Sequence, residues 1–208
     1  MKNNNYYRMS FTTGGLFLNE SIKIAKVYQK YQDWDKTKEK VFEDNLLQYS
    51  SKKTTQRVYR EIQIRLRKLS DDLIQLLMDD NIKEQQIILW ISICKAYRFI
   101  GEFATNIIRE KYLLMNYQLN NEDYMSFFNS KADWHEELDN LSDMTIQKQR
   151  QVVFRMLQEA GVLSSTNIIL PIIPSIKIFK AIYKDDPKNI TYLPISDMDI
   201  QELLRNAQ

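Results

Sequence analysis

The sequence has few of the residues that break helices or build reactive sites. Its 208 residues include four glycines, four prolines, one cysteine and one histidine. So few glycines and prolines, together with abundant Leu, Ile, Lys, Glu and Gln, favour helices over a turn-rich β fold. A chain of this length can bury a core, either as one domain or as two small ones. We therefore expect an all-α, compact, multi-helix globular protein.

The single cysteine and the short apolar runs indicate in which cellular compartment the protein is expected. Cys94 excludes an intrachain disulfide and is typical of proteins in a reducing cytoplasm. It ends the longest apolar run, residues 87–94, in which a buried thiol is the favoured interpretation. That run is much shorter than the ~20 residues that span a bilayer, and no apolar signal segment follows the first methionine. The sequence thus predicts a soluble, cytoplasmic protein without a membrane segment.

Catalytic and metal-binding patterns are also scarce. His135 is the one histidine, and no Cys/His spacing typical of zinc sites accompanies it. The glycine pair at 14–15 is not followed by the Lys-Ser/Thr of a phosphate-binding loop. Acidic pairs such as the one at 71–72 fall at helix or turn boundaries, where capping explains them. We therefore predict no enzymatic activity, no metal site and no cofactor.

A strongly basic helical stretch occupies residues 52–68. It holds seven Lys/Arg and one acid, Glu61, in a chain whose formal net charge is only +2. One side is apolar at helical spacing, and the opposite side carries cations and amides. Such side chains pair with phosphates and base edges, although a solvated surface helix is the plain alternative. The residues of this helix predicted to bind DNA are Lys52, Lys53, Thr54, Gln56, Arg57, Arg60 and Arg67.

The preceding residues predict the first helix of a helix-turn-helix. Apolar spacing indicates a helix over residues 34–47, with acids near its start that complement the helix dipole. The short connection, residues 48–51, ends in two serines, which are good N-cap residues. In a helix-turn-helix the N-terminal end of the second helix meets the DNA. This arrangement predicts that the DNA interface begins near Lys52.

A second helix-turn-helix is predicted in the C-terminal third. Its second helix spans residues 145–160, with Ser142 or Asp143 as the cap and Gly161 closing it. Residues 133–141 supply its first helix. A purely structural helix with solvated charges is the alternative. The outward side chains predicted to bind DNA are Lys148, Gln151 and Arg155.

The remaining pattern concerns domain organisation. Residues 82–115 form a long helical stretch, broken near Gly101, that is apolar on most sides and so should be buried. The runs 168–173 and 190–195 are β-prone but contain prolines, which leaves open a winged form with a small β wing near the C-terminus. The predicted units are an N-terminal helix-turn-helix unit at 1–80, a central helical core at 81–132 and a C-terminal helix-turn-helix unit at 133–208.

Diffuse motifs along the whole chain carry a family resemblance. They are Ser10-Phe11-Thr12-Thr13-Gly14-Gly15-Leu16 with Glu20-Ser21, Trp34 with Asn45-Leu46-Leu47, Thr54, Arg57, Arg60-Glu61-Ile62, Arg65-Leu66, Arg150-Gln151-Val152, the stretch 157–163 and Leu193-Pro194-Ile195-Ser196. Together they resemble the BrxA family, small core proteins of bacteriophage-exclusion (BREX) defence systems. The resemblance implies an all-α protein with two helix-turn-helix units beside positive surfaces. It also implies double-stranded DNA binding, with a DNA methyltransferase and an ATPase as companion proteins.

The sequence therefore predicts a non-catalytic, double-stranded DNA-binding component of a BREX phage-defence system. We expect it to be a monomer that works beside the methyltransferase and ATPase of its system. The alternative, from a different class, is a protein–protein adaptor whose basic helix docks on an acidic partner. RNA binding is less favoured, because aromatic side chains are not interleaved with the basic residues.

Overall fold

Helices form the fold of this chain. The computed structural model describes residues 6–11, 14–79 and 81–207. Within these ranges the α-helices are α1 (Leu18–Tyr31), α2 (Trp34–Glu43), α3 (Lys52–Leu66), α4 (Asp71–Asp79), α5 (Ile82–Ala96), α6 (Arg98–Phe103), α7 (Glu110–Leu113), α8 (Asn121–Ala132), α9 (Glu136–Asp139), α10 (Asp143–Glu159), α11 (Ile176–Asp185) and α12 (Asp197–Asn206). A π-helical turn (Ala104–Arg109) joins α6 to α7, and a 3-10 helix (Pro187–Tyr192) follows α11. The all-α prediction is confirmed.

α5 is the centre of the hydrophobic core. Residues 87–94 are all buried, which agrees with a helix that is apolar nearly all round. α3, α4, α6 and α10 all pack against α5, and the Trp90 indole N–H donates to the carbonyl of Tyr192 at 2.8 Å. Burial raises the pKa of the Cys94 thiol well above its ordinary value. None of the helices in the described ranges is long and apolar enough to cross a membrane.

The long helix predicted over residues 82–115 breaks at Tyr97, not at Gly101. Tyr97 has extended backbone angles between α5 and α6, and its hydroxyl donates to the Glu61 carboxylate at 2.6 Å. Gly101 lies inside α6, where an added Cβ would approach the Cys94 carbonyl to 2.9 Å. This glycine permits close packing, and the break lies at Tyr97, whose hydroxyl is hydrogen-bonded in the core.

The helix predicted over residues 133–141 is mostly absent. α8 runs to Ala132, and the chain turns through residues 133–135 before the single turn of α9. α8 begins with a capping box between Asn120 and Asp123. The prediction of a helix over all of residues 133–141 was therefore wrong. Only residues 136–139 are helical, and the residues before them form a turn.

The β-prone C-terminal runs do not form a sheet in the described residues. Two isolated antiparallel bridges join Gln118 to Ile168 and Leu163 to Ile169. The run 190–195 begins inside the 3-10 helix rather than in a strand. Prolines remove backbone donors from both runs, and pairing beyond single bridges is lost with them. The β wing that the sequence left open is not present in this part of the chain.

Candidate nucleic-acid interface

α3 follows a longer connection than the sequence predicted. α2 ends at Glu43, and residues 44–51 make the turn, with Asn45 and Gln48 in the left-handed region. α2 nevertheless contacts α3. The Tyr59 hydroxyl donates to the Trp34 carbonyl at 3.1 Å and so joins the middle of α3 to the first residue of α2. Their assignment as a helix-turn-helix stays a prediction.

The side chains of α3 divide between core and solvent as the apolar spacing predicted. Val58, Ile62 and Leu66 are buried, and Thr54 is half-buried. Within the described ranges, no ion pair involves the exposed cations of this helix. The exposed predicted site residues are Lys52, Lys53, Gln56, Arg57, Arg60 and Arg67. Arg67 is set apart at the end of α3, where its guanidinium lies 5.4 Å from the Trp34 ring centroid.

Within the basic stretch 52–68, Arg65 is buried together with Glu61, the only acid of the stretch. Arg65 is 2 % exposed, and its Nε donates to Glu61 Oε1 at 2.8 Å. Its Nη1 donates to the Gly15 carbonyl at 2.7 Å, while the Tyr97 hydroxyl donates to the same carboxylate. Burial, and then the adjacent Glu61 carboxylate, raise the pKa of Tyr97. Because the only acid of the stretch is paired inside, the exposed face of α3 carries cations and no acid.

α10 (Asp143–Glu159) agrees with the helix predicted over residues 145–160 to within two residues at each end. The Ser142 hydroxyl accepts from the Thr145 N–H, and Gly161 closes the helix with φ +72. The apolar side of α10 is buried, including Met156, which is 0 % exposed. The outward side chains are exposed, as predicted for Lys148, Gln151 and Arg155.

α3 and α10 line one cleft of about 910 Å³. Both helices pack on α5, which sets the two walls of the cleft on a common base. The segment 14–20 lies between the walls. Four predicted site residues meet here: Thr54, Arg57, Lys148 and Arg155. The others, outside this lining, are Lys52, Lys53, Gln56, Arg60, Arg67 and Gln151.

The segment 14–17 joins the two walls, and sequence reasoning missed it. The Gly15 carbonyl is held by Arg65 of α3, and the Leu16 N–H donates to Glu159 Oε2 of α10 at 2.5 Å. A Cβ added at Gly15 would meet that carboxylate oxygen at 2.8 Å, and Gly14 has φ +138. Glycine therefore suits the backbone at Gly14, and a larger residue at Gly15 would displace the Glu159 carboxylate that holds Leu16. The paired glycines were the available signal, but they were considered as a phosphate-loop motif and as part of the family resemblance, not as a link between two helices.

The acids of the cleft are hydrogen-bonded, whereas two of its cations are not. Glu20 Oε1 accepts from the Tyr49 hydroxyl at 2.8 Å. Burial and this hydrogen bond raise the pKa of Tyr49 to about 12, so the hydroxyl remains a neutral donor near pH 7. Among the described residues, Arg57 and Lys148 have neither an ion pair nor a side-chain hydrogen bond. These two cations are free to meet an anion that enters the cleft.

His135 belongs to the anchor of the N-terminal segment and not to the cleft lining. The Tyr7 ring lies 4.4 Å from the His135 ring, and the Tyr7 hydroxyl donates to Glu102 Oε2 at 2.6 Å. Burial acts to raise the pKa of Glu102, but hydrogen bonds from Lys131, Tyr7 and Arg98 outweigh it and lower the pKa. The anchor therefore depends on an ionised Glu102.

Comparison with known proteins adds four similarities. A model of the BrxA family matches residues 5–186. The "BREX protein BrxA" of Bacillus cereus (strain H3081.97) is 27 % identical over 159 residues, covering 76 % of this chain and 80 % of that protein. The protein of the same name from Escherichia coli O9:H4 (strain HS) is 25 % identical over 161 residues, covering 77 % and 76 %. A crystal structure of an uncharacterized protein from Magnetospirillum magneticum has a similar fold, with TM-score 0.75 and 18 % identity over 89 % of this chain and 96 % of that chain.

Proposed function

Because the chain belongs to the BrxA family and is a component of a BREX phage-defence system, we propose that it binds double-stranded DNA and catalyses no reaction of its own. In this proposal it works in the cytoplasm beside the methyltransferase and ATPase of its system. The two helix pairs, α2–α3 and α9–α10, act as helix-turn-helix units. The first has a long turn, and the second has a one-turn first helix.

The exposed face of α3 is the observation that carries this proposal. Lys53, Arg57 and Arg60 lie along it without an acidic partner in the described ranges, because Glu61 is only 4 % exposed and pairs with Arg65. Unpaired cations on one helix face attract phosphates, and each phosphate that they neutralise releases condensed counterions. A solvated helix of mixed charge would lack this uniform sign.

A second candidate function is a protein–protein adaptor. Trp134 is 85 % exposed and Met144 is 81 % exposed, on either side of α9. Aromatic side chains and methionine are enriched at protein interfaces, where their apolar surface leaves water. In this alternative the cations of α3 dock on an acidic partner of the defence complex.

The experiment is a duplex titration of the purified chain by fluorescence anisotropy at two salt concentrations. For DNA binding we expect a dissociation constant of about 10⁻⁴–10⁻⁶ M at physiological salt. Replacing Lys53, Arg57 and Arg60 together by Ala should weaken binding and flatten the salt dependence. The slope should fall by up to ~0.9 log unit per decade of salt for each phosphate that the variant no longer neutralises.

The matched control removes three exposed cations elsewhere. Lys26→Ala, Lys180→Ala and Arg205→Ala change the net charge equally and lie outside the cleft lining. This control should bind DNA nearly as well as the unmodified chain. Unchanged affinity and slope in the folded α3 variant would contradict the assignment. The absence of any complex at low salt, together with co-purification with another BREX protein, would favour the adaptor.

A further inference from the structure

The cleft between α3 and α10 has room for a short segment of one strand. Its volume of about 910 Å³ corresponds to a cube roughly 10 Å on edge. The phosphates of one strand advance about 3.4 Å per nucleotide along the duplex axis. A strand that crosses the cleft would therefore place two or three consecutive phosphates inside it.

Three cations face this space from opposite walls. Arg57 lies on the α3 wall, and Lys148 and Arg155 lie on the α10 wall. The Arg155 guanidinium makes one long hydrogen bond, 3.5 Å from Nη1 to the Gly14 carbonyl, so it can turn towards a phosphate at little cost. The first turn of α1 also lines the cleft, and its N-cap residue makes no side-chain capping bond.

The acids do not neutralise these cations by direct pairing. Glu159 accepts from the Leu16 N–H, and Glu20 accepts from the Tyr49 hydroxyl. Both carboxylates are thus turned into the protein framework, where they hold segment 14–17 and Tyr49 in place. The charged groups left for a ligand in the cleft are the cations, which donate hydrogen bonds and suit phosphate oxygens.

We propose that this cleft binds consecutive phosphates of a single nucleic-acid strand, with Arg57, Lys148 and Arg155 as the phosphate ligands. The ligand class rests on the proposed function, but the arrangement goes beyond it. α3 and α10 then form the two walls of one site and do not each contact a separate groove of the DNA. The strand is either one backbone of a duplex or an unpaired strand.

The test uses a labelled pentathymidylate strand, an unlabelled DNA duplex as a competitor, and the full chain. The cleft variant combines Arg57→Ala, Lys148→Ala and Arg155→Ala, and the control variant is the one with Lys26, Lys180 and Arg205 replaced. A third variant, Asn19→Trp, adds bulk at an exposed cleft residue and removes no charge. Circular dichroism confirms that each variant is folded.

We expect one pentathymidylate per chain, displaced by the duplex if one backbone of the duplex is the natural occupant. The cleft variant should bind it about tenfold more weakly or worse, with a salt slope smaller by roughly 2, since each neutralised phosphate of a single strand contributes about 0.7. Asn19→Trp should also weaken binding, and the control should stay within about twofold. Absence of pentathymidylate binding, or equal binding by the cleft variant, would overturn the proposal.

The same titrations separate the two hypotheses. If the cleft variant binds both pentathymidylate and the duplex as tightly as the unmodified chain, the cleft site is wrong and the proposed function stands. If pentathymidylate binds in the cleft but the duplex neither binds nor competes, the occupant is an unpaired strand and the duplex-binding function falls.

Discussion

Removing Arg65 should destabilise the protein far more than removing any exposed cation of α3. In Arg65→Leu the Glu61 carboxylate stays buried and keeps only the Tyr97 hydroxyl as a donor. Leaving one partner of a buried ion pair unpaired costs about 3–5 kcal/mol. For a chain of this size each kcal/mol lowers the melting temperature by about 2–4 °C, so we expect a decrease of roughly 6–20 °C.

Urea unfolding followed by circular dichroism, together with calorimetry, measures this destabilisation. The control is Arg67→Leu, which changes an exposed cation at the end of the same helix and should leave the unfolding midpoint nearly unchanged. The double variant Glu61→Leu/Arg65→Leu should be more stable than Arg65→Leu, since no buried charge remains. A destabilisation below about 1 kcal/mol for Arg65→Leu, or a double variant whose destabilisation equals the sum of the two single values, would refute this reasoning.

Four further predictions concern α10 and the N-terminal anchor. Met156→Ala should lower the free energy of unfolding by about 2–5 kcal/mol in urea titrations, whereas the double variant Lys148→Glu/Arg155→Glu should weaken duplex binding with a nearly unchanged melting temperature. Ser142→Ala should cost about 1 kcal/mol, because the N-cap acceptor of α10 is removed. The lowered pKa of Glu102 means that its ionised form stabilises the fold above its ordinary value of 4.5 and that this contribution disappears as the pH falls through the lowered pKa. Melting temperatures at about pH 6 and about pH 3 should therefore differ less in Glu102→Gln than in the unmodified chain; an equal difference would contradict the role of this carboxylate.

The faces of α3 and α10 could be predicted because they depend on local spacing. A helix places every third or fourth residue on one side, so Ile62 and Met156 turn inward wherever the helix packs. The caps at Ser142 and Gly161 are local as well. Short irregular pieces were harder, because the one-turn α9 and the longer turn before α3 depend on where neighbouring helices end.

The cleft could not be predicted in this way. Its walls are joined by Arg65 with Gly15, 50 positions apart, and by Glu159 with Leu16, 143 positions apart. Neither periodicity nor composition reports hydrogen bonds at such separations. The sequence reasoning therefore placed the cations on two separate helices and did not show that Arg57 and Lys148 face a common space.

The burial of Cys94 makes the protein convenient for site-specific labelling. Cys94 is the one cysteine in the sequence, it is 2 % exposed inside α5, and burial keeps its thiol protonated. Protonated, buried thiols react slowly with alkylating reagents. Cysteines introduced at the exposed Gln56 of α3 and Gln151 of α10 would accept spin labels or fluorophores while Cys94 stays unmodified. Distances between the two helices could then be followed in solution as DNA is added.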